Sequence, residues 1–115
     1  MEPQEPKQPL PRAHYIRQLL AAYCVTPGTS GHIRRSDRIL AEQLYQRGIP
    51  LKLGENALLL AAARRLFRPP HALPLPTIRS LAYFLPVLEE LQQLQVSPSY
   101  FEHIRRRIAH LSNNP

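Results

Sequence analysis

The stretch Leu44–Pro70, LYQRGIPLKLGENALLLAAARRLFRPP, decides the fold. It predicts the end of one helix, a break at Gly48–Pro50 and a second helix that closes on arginines before Pro69–Pro70. Gly48 suits the left-handed conformation that ends a helix. Pro50 suits a first helical turn, where its missing amide costs nothing. The run ALLLAAARRLF is apolar nearly all round, as in a helix with neighbours on several sides. Gly54 inside it marks either a close backbone approach or a later helix start.

Working outward, Tyr15, Ile16, Leu19, Leu20 and Tyr23 make one apolar stripe and predict a first helix over about Arg12–Cys24. VTPGTSGHIRR then breaks the pattern, as a linker or as a loop lying along a phosphate backbone. Ser36 is the expected N-cap of a second helix, with Asp37 in its first turn. Leu40, Ala41, Leu44 and Tyr45 line its inner side, and Glu42 can pair with Arg38. Thr77 is expected to cap a fourth helix that Pro86 kinks, with two short helices as the alternative. Ser97–Pro98 predicts the start of a fifth, with Tyr100, Phe101, Ile104, Ile108 and Leu111 on one face. The pairs Tyr83–Phe84 and Tyr100–Phe101 each predict one core ring. The fold class is therefore all-α, a single small bundle of about five helices over 12–112. A disordered proline-rich tail is expected at 1–11 and a frayed end at 113–115.

Composition narrows the function. The 115 residues include 15 Lys and Arg against 8 Asp and Glu, a net charge of +7. Twelve arginines lie beyond Tyr15, and guanidinium forks match phosphate geometry. Such an excess makes a polyanion the default partner. The longest apolar run, Ala57–Ala63, is too short to span a bilayer, and the N-terminus has no signal-peptide pattern. A cytoplasmic location is the simplest expectation. Cys24 is the only cysteine, so no intrachain disulfide forms and a buried thiol is expected. No two histidines stand at chelating spacing, the carboxylates are not clustered, and no phosphate-binding glycine motif occurs. The expectation is a protein without metal, cofactor or small-molecule substrate, and not an enzyme.

The helix–break–helix over 37–67 has the order of a helix-turn-helix, whose second helix reads base edges from its first turns. Lys52, Glu55 and Asn56 occupy those turns, and Asn56 has the shape for a bidentate contact to adenine. Against this, Leu59, Leu60 and Ala61–Ala63 leave the second helix little free surface, so a purely structural pair stays open. Three arginine groups are candidates for phosphate contacts: Arg34, Arg35 and Arg38; Arg64, Arg65 and Arg68; and Arg105, Arg106 and Arg107. The second group equally suits the negative end of its own helix. The segment 34–68, through RGIPL followed by ALLLAAARR, resembles the helix-turn-helix domains of replication initiators and regulators encoded on phage and mobile elements. The resemblance implies a small helical fold that engages DNA beside larger replication or transposition proteins.

The favoured reading is a non-enzymatic nucleic-acid-binding protein, with double-stranded DNA as ligand. The alternative is an adaptor or subunit that meets a protein partner, or a second copy, through the leucines of 78–95: Leu85, Leu88, Leu91 and Leu94. Core is the expected fate of most of them.

Overall fold

Five α-helices and one 3-10 turn build the protein, as seen in a computed structural model that describes residues 10–94 and 98–113. They are α1 (Arg12–Val25), α2 (Arg35–Gln46), α3 (Leu51–Leu66), the 3-10 turn Leu81–Phe84, α4 (Leu85–Gln93) and α5 (Pro98–Asn113). Among the described residues there is no strand, so the all-α expectation holds. The expected tail lies outside them over 1–9, as do Ser97 and the last two residues of the expected frayed end.

α3 is the axis. It packs against α1, α4 and α5, which is why its sequence is apolar on so many sides. Gly54, Ala57, Leu58 and Leu60–Ala63 are all buried. A Cβ on Gly54 would stand 3.1 Å from Cδ1 of Leu19, so the glycine marks a close approach to α1.

Tyr15, Leu19, Leu20 and Tyr23 of α1 fill the space between α2 and α3. Tyr15 packs edge-on against Tyr45 at 5.3 Å and donates its hydroxyl to the carbonyl of Ile49 at 2.7 Å. Arg12, at the start of α1, grips Glu42 of α2 through Nε at 2.9 Å and through Nη2. Glu42 therefore pairs with Arg12 rather than with Arg38, and its carboxyl is held below the usual range by that guanidinium.

The break between α2 and α3 follows from local chemistry. Gly48 has φ +78°. Its amide donates to Tyr45 and that of Ile49 to Leu44, at 3.0 and 3.1 Å. This is the paired 5→2 and 6→1 closure of a Schellman end. Pro50 then sits at the N-cap of α3.

Three starts differ from expectation. α2 begins one residue before Ser36, with Arg34 in the N-cap position. A guanidinium cannot accept a hydrogen bond, so the cap comes from the third helical position. Asp37 reaches back, and its Oδ2 accepts the Arg34 amide at 2.9 Å. Its Oδ1 accepts the amide of Leu81 at 2.9 Å, although the side chain is only 1% exposed. One carboxylate thus fixes the start of α2 and the start of the 3-10 turn together.

Thr77 caps nothing, because the next helical element starts only at Leu81. Ser80 caps instead, accepting the amide of Ala82 at 3.1 Å. Pro86 produces no kink within a long helix; the alternative of two short helices holds. The chain divides into the 3-10 turn and α4, placing Pro86 in the first turn of α4, where no hydrogen bond is lost.

The connector 26–34 is neither a free linker nor a loop open along its length. Ile78 bridges to it: the Ile78 amide donates to Gly28 at 2.8 Å and the Ser30 amide to Ile78 at 2.9 Å. Phe84 and Phe101 enter the core while Tyr83 and Tyr100 stay 46% exposed, one ring of each pair as expected.

Asp37→Ala leaves two amides without acceptors, that of Leu81 buried and that of Arg34 half-buried. We expect a loss of about 2–4 kcal/mol in denaturant unfolding. Asp37→Asn should recover less than half of that, because its NH2 faces one of the same amides. Tyr15 supplies a pH test. Burial pushes its phenol from 10.0 up to about 12. The unfolded chain releases this proton first, so the associated stability is intact below pH 10 and is lost as pH climbs towards 12. Stability should fall by roughly 2–3 kcal/mol across that window, and the fall should flatten in Tyr15→Phe.

Candidate nucleic-acid interface

The three arginine groups meet different fates. Arg64, Arg65 and Arg68, at the end of α3, are occupied by the protein itself. Arg64 grips Glu90 of α4 at 2.9 and 2.5 Å, which holds the Glu90 carboxyl below its usual range. Arg65 donates to the carbonyl of Pro76 at 2.7 Å and to the Tyr83 hydroxyl at 3.1 Å, with its guanidinium 5.6 Å from the centre of the Tyr83 ring. Arg68 donates to the carbonyl of Leu73 at 2.8 Å. These side chains bind the end of α3 to α4 and to residues 73–83, which lie between the two helices.

The group Arg105, Arg106 and Arg107 divides. Consecutive positions on a helix point about 100° apart, and α5 shows the consequence. Arg105 turns towards α3 and pairs with Glu102 at 3.3 Å. Arg107 covers the ring of Phe67 at 4.1 Å. Arg106 faces solvent.

Arg34, Arg35 and Arg38 remain. All three are exposed at the start of α2, and none forms an ion pair with any described residue. The acid nearest them in sequence, Asp37, is buried with both oxygens on amides, so it offers them no surface partner. The fold adds a fourth cation. Ile78 is bonded to the 28–30 loop and Leu81 to Asp37, so exposed Arg79, between them, belongs to the same region. Sequence spacing could not reveal Arg79, which stands 41 positions from Arg38. The positive end of the α2 dipole lies on this face as well.

The reading-helix residues do not form a free face. α2 and α3 each pack on α1 and scarcely on each other, so Ala41 serves the α1–α2 contact rather than a helix-turn-helix pair. Lys52 is exposed and Glu55 half-buried. Both line an open groove of about 440 Å³ with Val25, Leu59 and Arg105. Asn56 is half-buried, and its Oδ1 is sealed from solvent with no hydrogen-bond partner among the described residues, so it cannot meet a base edge as placed.

The alternative leucine surface is mostly interior. Leu88 and Leu91 are buried, Leu85 is half-buried, and Leu94 alone of the four is exposed, at 53%. No group of three or more His, Cys, Asp or Glu side chains gathers as a metal site among the described residues. No helix among them is long and apolar enough to cross a membrane. Cys24 is half-buried and unbonded to sulfur. Comparison with protein-family models, curated proteins and solved structures found no match for this chain.

The division between occupied and open arginines is testable by stability. Arg65→Ala should cost about 1–2 kcal/mol, since it leaves the Pro76 carbonyl and the Tyr83 face unpartnered. Arg35→Ala should change unfolding by about 0.5 kcal/mol or less, as at an unengaged surface position. Thermal melts of the two variants check both values.

Proposed function

We propose that this chain is a small non-enzymatic nucleic-acid-binding protein that holds the phosphate backbone of duplex DNA on the face carrying Arg34, Arg35, Arg38 and Arg79. The observation that carries this reading is the gathering of four exposed arginines with no ion pair among the described residues, where Arg12, Arg64, Arg65 and Arg68 are consumed internally and the other unpaired arginines, Arg17, Arg47 and Arg106, are spread over α1, the end of α2 and α5. An unengaged guanidinium has five donors available to phosphate oxygens. Four on one rigid face can neutralise successive phosphates without rearrangement.

The contacts are to backbone, not to bases. Lys52, Glu55 and Asn56 lie at the start of α3, where half-burial and neighbouring side chains leave no helix free to enter a groove. Binding of this kind is steered by charge and varies little with sequence. An accessory role beside a sequence-reading protein fits it.

A labelled duplex titrated at several salt concentrations tests the proposal. If three or four phosphates are neutralised, log K against log salt should have a slope of roughly −3 to −4. Arg34→Ala with Arg35→Ala and Arg38→Ala should lower affinity at least about tenfold at low salt and flatten the slope to about −1. No binding at low salt, or binding indifferent to salt, sinks the reading.

A further inference from the structure

The second half of α3 packs against α5 and encloses with it an open cleft of about 380 Å³. Helical spacing decides what lines it. Arg64 and Phe67 stand at i and i+3 at the end of α3. Tyr100, His103 and Arg107 stand at i, i+3 and i+7 on α5, so one face of that helix supplies all three. Buried Leu60 and Ile104 give the cleft an apolar floor.

The walls combine positive charge with flat rings, and no carboxylate lines them. Glu102, the acid nearest Arg107 in sequence, pairs with Arg105, which lines the other groove along α3. Arg64 keeps Glu90, so its charge is balanced. Arg107 differs. Its guanidinium lies 4.1 Å from the centre of the Phe67 ring, and it is exposed and forms no ion pair with any described residue. Stacking occupies the plane of a guanidinium and leaves the N–H donors on its edge. Those donors are thus held in one place and stay accessible. Tyr100 adds a second ring, 46% exposed. His103 stands exposed between the two on the same face.

We propose that this cleft binds one nucleotide unit, its base stacked on Tyr100 and its phosphate on the edge of Arg107. The chemistry selects that ligand class. A simple anion would meet Arg107 and leave the Tyr100 ring and the apolar floor in water. An apolar ligand would cover the floor and leave the guanidinium edge without an acceptor. A nucleotide carries both a π-face and a phosphate. The cleft volume falls in the range of small-molecule sites, about 300–1,000 Å³. A free nucleotide and an unpaired position in a single strand present the same unit. The cleft shares no residue with the face of Arg34, Arg35, Arg38 and Arg79 and does not rest on the duplex reading.

The full chain, 15N-labelled, is titrated with adenosine 5′-monophosphate, ribose 5-phosphate, N-acetylphenylalanine and a single strand of five deoxyadenosines. The mononucleotide should give saturable shifts centred on Tyr100–Arg107. It should bind at least about fivefold more tightly than ribose 5-phosphate, the difference being the stacked base. Tyr100→Ala should remove that advantage and Tyr100→Phe should retain it. Arg107→Ala should weaken binding about tenfold, with helical circular dichroism unchanged. Arg34→Ala with Arg35→Ala and Arg38→Ala should bind the mononucleotide like the parent chain, so failure of the duplex reading leaves this result intact. Tighter binding of the strand, read at the same amides, assigns the cleft to nucleic acid, and equal binding assigns it to free nucleotides. The proposal is overturned if no shift saturates by about 10 mM mononucleotide. It is equally overturned if ribose 5-phosphate or N-acetylphenylalanine binds as tightly, since a bare anion or a peptide is then the ligand, or if Tyr100→Ala and Arg107→Ala bind like the parent.

Discussion

A carboxylate sealed from water is destabilising unless its lone pairs are met. Asp37 meets that condition with two amides, those of Arg34 and Leu81, which lie 47 positions apart in the chain. The positive end of α2 favours the charge there. The rest of the chain path depends on this contact. It determines where α2 begins, where the connector after α3 stops and the 3-10 turn starts, and hence how α4 enters the core beside α3. Tyr23, wholly buried nearby, feels the same charge: burial pushes its phenol upward and Asp37 adds to the shift.

Arginine does two kinds of work in this protein. A guanidinium can bridge several carbonyl, carboxylate and ring acceptors at once, which an ammonium cannot do with comparable geometry. Arg65 engages a carbonyl, a hydroxyl and a ring, and Arg64 takes both oxygens of Glu90. A high net charge is therefore a poor count of available charge. The open cations are those whose local acid is buried, as at the start of α2, or whose helix position points away from any partner, as at Arg106.

What the sequence made legible were features governed by neighbours in the chain. Gly48 with Ile49 closes α2 because the required conformation and both hydrogen bonds lie within six residues. The stripe of α1 and the all-round apolarity of α3 translated directly into burial. Local signals failed where a distant group took over. Ser36 is the better N-cap by preference, yet Asp37 reaches back from within the helix because its carboxylate also serves Leu81. Thr77 precedes an apolar stripe, yet Ile78 is bridged to Gly28 and Ser30 and the next helical element starts only at Leu81. For the candidate face, Arg34, Arg35 and Arg38 were readable as a cluster, whereas the recruitment of Arg79 and the consumption of Arg64, Arg65 and Arg68 depend on tertiary contacts.

The cationic face and the proline-rich strap, residues 73–77, are parts of one mechanical unit. Between Pro76 and Leu81 three successive points are tied down: Pro76 to Arg65, Ile78 to the 28–30 loop, and Leu81 to Asp37. Arg79 has no slack on either side, so its position relative to Arg34 is set by the fold rather than by a flexible linker. The same ties hold the strap. The cationic face and the strap both bear on this six-residue span. Ile78 fixes their separation, because its side chain is buried while its amide and carbonyl hold the loop that leads into α2.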